Sequence, residues 1–168
     1  MKYLRVILIV STCVFLVIFD ISFLSNITIY NVSLLSSLLV LNLLILLSTS
    51  QTYFMAAALT ISLSFTVLSS LPLLLTGILF FLWPNLMWYL RSGYFREMSA
   101  GLAVLYFLIS SAVFEFIFLV HLLYLEREWS NLVLTQFGVF VVLHSLVGVI
   151  LFIAAKKISG FFIPPKLS

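Results

Sequence analysis

An all-α integral membrane bundle of about six transmembrane helices, with both termini cytoplasmic, is the fold this sequence predicts. Three observations lead there. Of 168 residues, 64% are hydrophobic and 8% charged, with a mean hydropathy of +1.33, whereas soluble domains carry roughly a quarter charged and about half apolar residues. Apolar runs recur along the chain, most of them near the ~20 residues a helix needs to cross ~30 Å of hydrocarbon. Seven of the eight Lys and Arg residues fall on one side of the alternating map those runs define, the asymmetry that keeps a loop in the cytoplasm. The length leaves room for one multi-pass membrane domain, residues 1–168, and for no separate soluble one.

The first span is read over about residues 6–24, after Lys2 and Arg5 and before Ser25-Asn26. Basic residues ahead of an apolar run resemble a secretory signal, but no small-residue cleavage site follows, so the span is expected to be retained. Cys13 has no cysteine to pair with. The second span, about 34–47, is short. Ser48 to Gln51 turns the chain into the third, about 53–68, and Ser69-Ser70-Leu71-Pro72 breaks the run before the fourth, about 73–90, because proline suits a helix start. The fifth covers about 100–124 and the sixth about 132–155, ending at Lys156-Lys157. Lys2, Arg5, Arg91, Arg96, Lys156, Lys157 and Lys166 then share the side of the termini, and Arg127, between Glu126 and Glu128, lies opposite.

Lipid offers no hydrophobic gain for helix pairing, so small residues mark close contacts. Two such rows run along the third span, Ala58-Ser62-Thr66-Ser70 and Ala56-Thr60-Ser64, which makes it the expected central helix. The Leu-rich second span reads as facing lipid or a partner, with Asn42 its one strong polar group. Trp83-Pro84-Asn85 interrupts the fourth span and predicts a kink at Pro84, since proline removes a helix hydrogen bond. Arg91, Arg96, Lys156 and Lys157 read as contacts to anionic lipid headgroups.

Ionisable groups in hydrocarbon are expensive, and each is a candidate site. Glu115 lies in the fifth span one turn after Ser111, and His144 lies near the middle of the sixth. A Glu115–His144 pair across adjacent helices would satisfy both groups, with Asn42, Asn85 and Ser111 as further interhelix hydrogen-bonding positions. Asp20 and His121 are placed at the outer boundary, within reach of water. Carboxylate clusters, metal-ligand spacings, glycine-rich phosphate loops and nucleophile–base pairs are all missing from the sequence. A non-enzymatic binding or scaffold subunit is therefore expected, without a cofactor and without nucleic acid as a partner.

The stretch Thr66-Val67-Leu68-Ser69-Ser70-Leu71-Pro72-Leu73-Leu74 resembles the turn before the fourth span of the bacterial rod-shape-determining membrane protein family MreD, approximately acidic-x-x-Ser-Gly-x-Pro-Leu-Gly. Ser69, Pro72 and Leu73 match; Thr66 replaces the acidic residue, and Ser70 and Leu74 replace the glycines. The outer segment Phe23 to Ser33, the basic-aromatic loop Arg91-Ser92-Gly93-Tyr94-Phe95-Arg96-Glu97 and the acidic residue in the fifth span, Glu115, extend the likeness over most of the chain. What the resemblance implies is a scaffold of the cell-elongation complex in the bacterial plasma membrane. It would pair with an MreC-like single-span coiled-coil protein and, through it, with the peptidoglycan synthase complex. That family is similar in fold to the substrate-binding S-components of energy-coupling-factor vitamin transporters. The alternative is therefore an S-component, with a ligand pocket near the outer face drawn from Asp20, Glu115, His121 and Trp129, although the first span lacks the Ala-x-x-x-Ala face such proteins use for docking. An accessory subunit of another membrane complex is a third class.

Overall fold

The computed structural model describes residues 2–29, 32–47, 51–69, 71–94, 99–126 and 131–162. They form an all-α bundle of six apolar helices, one of them interrupted by a π-helical turn. Five are long and apolar enough to cross a bilayer, so the chain is a multi-pass membrane protein. The sixth, in the second position, is not.

Helix α1 (Lys2–Ser22) ends where Ser25 Oγ and Asn26 Nδ2 donate to its last carbonyls, those of Ile21 and Ser22, at 2.5 and 2.9 Å. Polar side chains just past the apolar run thus satisfy acceptors that a helix end leaves open. A turn at Leu24–Asn26 leads into a small antiparallel hairpin of β1 (Thr28–Ile29) and β2 (Val32–Ser33), with Thr28 opposite Ser33 and Ile29 opposite Val32. Nothing in the side-chain pattern announced these strands. Helix α2 (Ser36–Leu47) and α3 (Gln51–Leu68) follow, and Ser69 closes α3 by donating from both N and Oγ to the Phe65 carbonyl.

The next span begins after Pro72, whose missing N–H would have no intrahelical acceptor there, and runs as α4 (Leu73–Gly77), a π-helical turn (Ile78–Leu82) and α5 (Trp83–Tyr94). Pro84 cannot donate to the Phe80 carbonyl, and the chain takes up the defect just before it. The Trp83 N–H reaches five residues back to Ile78, while Asn85 Nδ2 donates to Phe81 O at 2.7 Å. The interruption expected at Pro84 takes the form of a π turn, one of the known ways of breaking a helix's regular ladder. Helices α6 (Ala100–Glu126) and α7 (Asn131–Phe162) complete the bundle as its closest pair.

Two expectations about the interior are overturned. Helix α2 is enclosed, touching α1, α3, α5, α6 and α7, and seven of its 12 residues are buried. It does not face lipid or a partner. Leucine content failed as a guide because a leucine gains no hydrophobic free energy by moving from lipid to a membrane protein's interior; apolar side chains all round the helix fit an enclosed position equally well. Helix α3, expected at the centre, lies beside α2 and packs on α1 and α4 as well. Its row Ala58–Ser62 is buried, and Thr66 reaches Thr76 of α4 at 2.6 Å. The Ala56–Thr60–Ser64 row is only half-buried.

Where α6 and α7 meet, Gly148 lies against the fully buried ring of Phe107, in space that an added methyl would share with that ring. Gly148→Ala is expected to cost about 1–3 kcal/mol through overpacking. Reversible unfolding of the purified protein in mixed micelles would check it; an unchanged midpoint would mean that the contact is soft.

Candidate functional site

Helix α2 is about 18 Å long at 1.5 Å per residue, well short of the bilayer core, so its ends need partners from the protein. The bundle supplies them from three other helices. Asp20, 3% exposed on α1, aims both carboxylate oxygens at the start of α2. Its Oδ1 accepts from Ser36 N at 2.8 Å and Ser36 Oγ at 2.5 Å, and its Oδ2 accepts from Ser37 N at 2.9 Å and from Ser37 Oγ. His144 of α7 accepts at Nε2 from the Leu35 N–H, 2.9 Å away, with Nδ1 3.1 Å from its own helix's Phe140 carbonyl. That pair of contacts assigns the proton to Nδ1. At the other end, Arg91 Nη2 donates to the Leu46 carbonyl at 3.2 Å. An anion thus sits at the helix's positive end and a cation at its negative end, both favoured by the macrodipole.

Midway along α2, Asn42 Oδ1 accepts from Tyr106 OH at 3.1 Å and Ser110 Oγ at 2.8 Å, tying α2 to α6. Asn42→Leu alone is expected to destabilise by about 1–3 kcal/mol, because it takes their shared acceptor from two buried hydroxyls. The triple change Asn42→Leu, Tyr106→Phe, Ser110→Ala is expected to recover most of that loss, since matched apolar replacement of all partners is nearly neutral. Unfolding midpoints of the single and triple variants check this; an equally unstable triple variant would show that packing, not hydrogen bonding, dominates.

The remaining expected site residues fall as follows. The Glu115–His144 pair does not form, because the His144 ring is occupied by the Leu35 amide and the Phe140 carbonyl. Glu115, 9% exposed, has no hydrogen-bond partner among the described residues. Asn85 bonds within its own helix and makes no interhelix hydrogen bond. Ser111 Oγ is buried with no hydrogen-bond partner among the described residues. Arg91 turns inward to α2 and lies 5.8 Å over the Trp88 ring, so its guanidinium serves the bundle. Lys156 and Lys157 are exposed at the end of α7, with Lys156 Nζ 6.0 Å over the Phe152 ring. Arg96 and Trp129 lie outside the described residues.

One feature near Glu115 was not foreseen. At the hairpin end of the bundle a partly open cavity of about 280 Å³ is walled by Val32 and Ser33 of β2, Leu71 ahead of α4, and residues of α6 and α7. Glu115 and Gln136 are its polar side chains besides Ser33. A chain of aromatic rings runs through the wall: Phe65 stacks on Phe80 at 4.5 Å, Phe80 meets Phe114 edge-on at 5.3 Å, and Phe114 stacks on Phe140 at 5.8 Å. Phe140 in turn stacks on His144 at 3.8 Å. Asp20 and His121 do not line the cavity; Asp20, expected at a watery boundary, is buried as the cap of α2. The sequence held one signal for this cap, the consecutive serines Ser36-Ser37 opening an apolar helix, since serine favours helix starts. Among the described residues no three of His, Cys, Asp and Glu converge as metal ligands.

No protein-family model matches the chain, and neither a curated protein nor a solved structure is significantly similar to it.

Proposed function

We propose that the chain is a non-enzymatic scaffold of the MreD type in the bacterial plasma membrane, with both termini in the cytoplasm, serving the cell-elongation complex. It holds an MreC-like single-span coiled-coil protein and, through it, the peptidoglycan synthases. The observation that carries the reading is where the interior polar groups go: Asp20, His144, Asn42 and Arg91 all act on α2. A bundle locked in this way is a stiff frame for a neighbour, with four of its strongest polar groups engaged in holding one helix.

With α2 enclosed, the partner's membrane anchor has to use an outer face. Helix α1 is the least buried span, exposing Leu4, Ile7, Leu8 and Phe15 around a shallow groove at Ser11 and Thr12. Small side chains at such a place permit close helix approach. Gentle solubilisation, affinity purification and mass spectrometry test the reading. A stoichiometric single-span coiled-coil partner is expected, reduced at least fivefold by Ser11→Leu with the bundle's melting temperature unchanged.

The second reading, an S-component, draws on the cavity beside Glu115. Copurification of ATP-driven coupling subunits with a stoichiometric vitamin, in place of the coiled-coil protein, would establish it and overturn the first.

A further inference from the structure

We propose that the cavity at the hairpin end binds an organic amine, its apolar body seated among phenylalanine rings and its N–H group donating to Glu115. The inference goes beyond the scaffold reading and does not depend on it. Glu115 is nine-tenths buried, lines the cavity and has no hydrogen-bond donor among the described residues. A desolvated carboxyl without donors is costly in hydrocarbon, and a ligand that brings both a donor and a positive charge offsets that cost. Phe65, Phe80, Phe114, Phe118 and Phe140 form half of the apolar wall, and the faces of such rings attract cations.

The same wall disfavours other ligand classes. An anion would face the Glu115 carboxyl with no basic residue in the lining among the described residues. A sugar or nucleotide needs many hydrogen bonds, and among the described residues Gln136 and Ser33 are the only other polar side chains offered. At about 280 Å³ the space is at the small end of ligand sites, enough for a ring or short chain bearing one amino group. A lipid could insert only an aminoethyl headgroup. Leu35 both lines the cavity and donates its amide to His144, on whose ring Phe140 stacks. An occupant therefore touches the groups that hold the start of α2.

The test uses the full chain in phosphatidylcholine nanodiscs, with phenethylammonium as probe and 2-phenylethanol as its neutral counterpart. Phenethylammonium is expected to raise the melting temperature by several degrees, because a ligand that binds only the folded state stabilises it; 2-phenylethanol at equal concentration is expected not to. Glu115→Gln should weaken phenethylammonium at least tenfold, each protein's shift being read against its own melting temperature without probe. Should that variant fold poorly, the comparison of charged and neutral probes on the wild type still decides. Nanodiscs containing phosphatidylethanolamine separate the two sources of an amine. Stabilisation by that lipid, lost in Glu115→Gln and leaving no further response to phenethylammonium, identifies a headgroup; a response to phenethylammonium alone identifies a free amine. Equal effects of the two probes, an undiminished response in Glu115→Gln, or no response to either amine source would overturn the proposal.

Discussion

Asp20→Leu is expected to destabilise the folded bundle by about 3–5 kcal/mol, the range for removing one partner of a buried charged cluster. Leucine keeps nearly the same shape, so little of the loss comes from a cavity. It comes from the backbone amides of Ser36 and Ser37, which Asp20 accepts at 2.8 and 2.9 Å, and from the two serine hydroxyls on the same carboxylate. In a soluble protein, water would replace the lost acceptor, and losing a cap costs about 1 kcal/mol. Here Asp20 and Ser37 are buried, and an unmet amide bears its full desolvation cost. Asp20→Asn keeps one acceptor oxygen but turns an amide donor toward the Ser37 donors, so it should lose a smaller part, about 1–3 kcal/mol. Unfolding midpoints in mixed micelles rank the three proteins. A leucine variant within 1 kcal/mol of wild type would mean that the serine hydroxyls cap α2 unaided.

How much of this could be read from the chain follows from what each signal reports. Apolar runs of near-membrane length, broken at Ser69–Pro72 and flanked by basic residues, report helices directly: the observed α3, α6 and α7 cover the expected spans, and α1 ends two residues short of its own. Composition alone did not reveal the central place of α2, because its leucines are equally content in lipid and in the interior. The partner of His144 was hidden for a different reason. Counting ionisable side chains leads to Glu115, whereas the actual donor is the main-chain amide of Leu35, which lies just ahead of a short helix and has no intrahelical acceptor. Asp20 was misjudged by the same route: its position near the end of α1 suggested water, but it is buried against the start of α2. Arg91 at a span's end fits a headgroup contact and a helix C-terminal cap equally well by sequence. The shortness of α2 is what brings the cap into play, since its Leu46 carbonyl ends within reach of the guanidinium.

The second large effect is expected from His144→Leu, about 2–3 kcal/mol, because it strands the Leu35 amide and removes the ring stacked on Phe140 at 3.8 Å. Its diagnostic value lies in combination with Asp20→Leu. Both groups hold the same helix start from opposite sides, Asp20 through Ser36 and Ser37 and His144 through the residue just before them. Once either is gone, that end can loosen and the other anchor has less to hold. The double variant should therefore lose at least about 1 kcal/mol less than the two single losses together, the coupling typical of residues sharing one hydrogen-bonded unit. Arg91→Met provides the contrast. It acts at Leu46, near the far end of α2 and beyond the ~10 Å over which such effects usually couple, so its loss should add to that of Asp20→Leu. Additive behaviour for both pairs would mean that the anchors act independently and that α2 is not held as one rigid element. Coupling confined to the Asp20–His144 pair would make the start of α2 a single cooperative joint between α1 and α7.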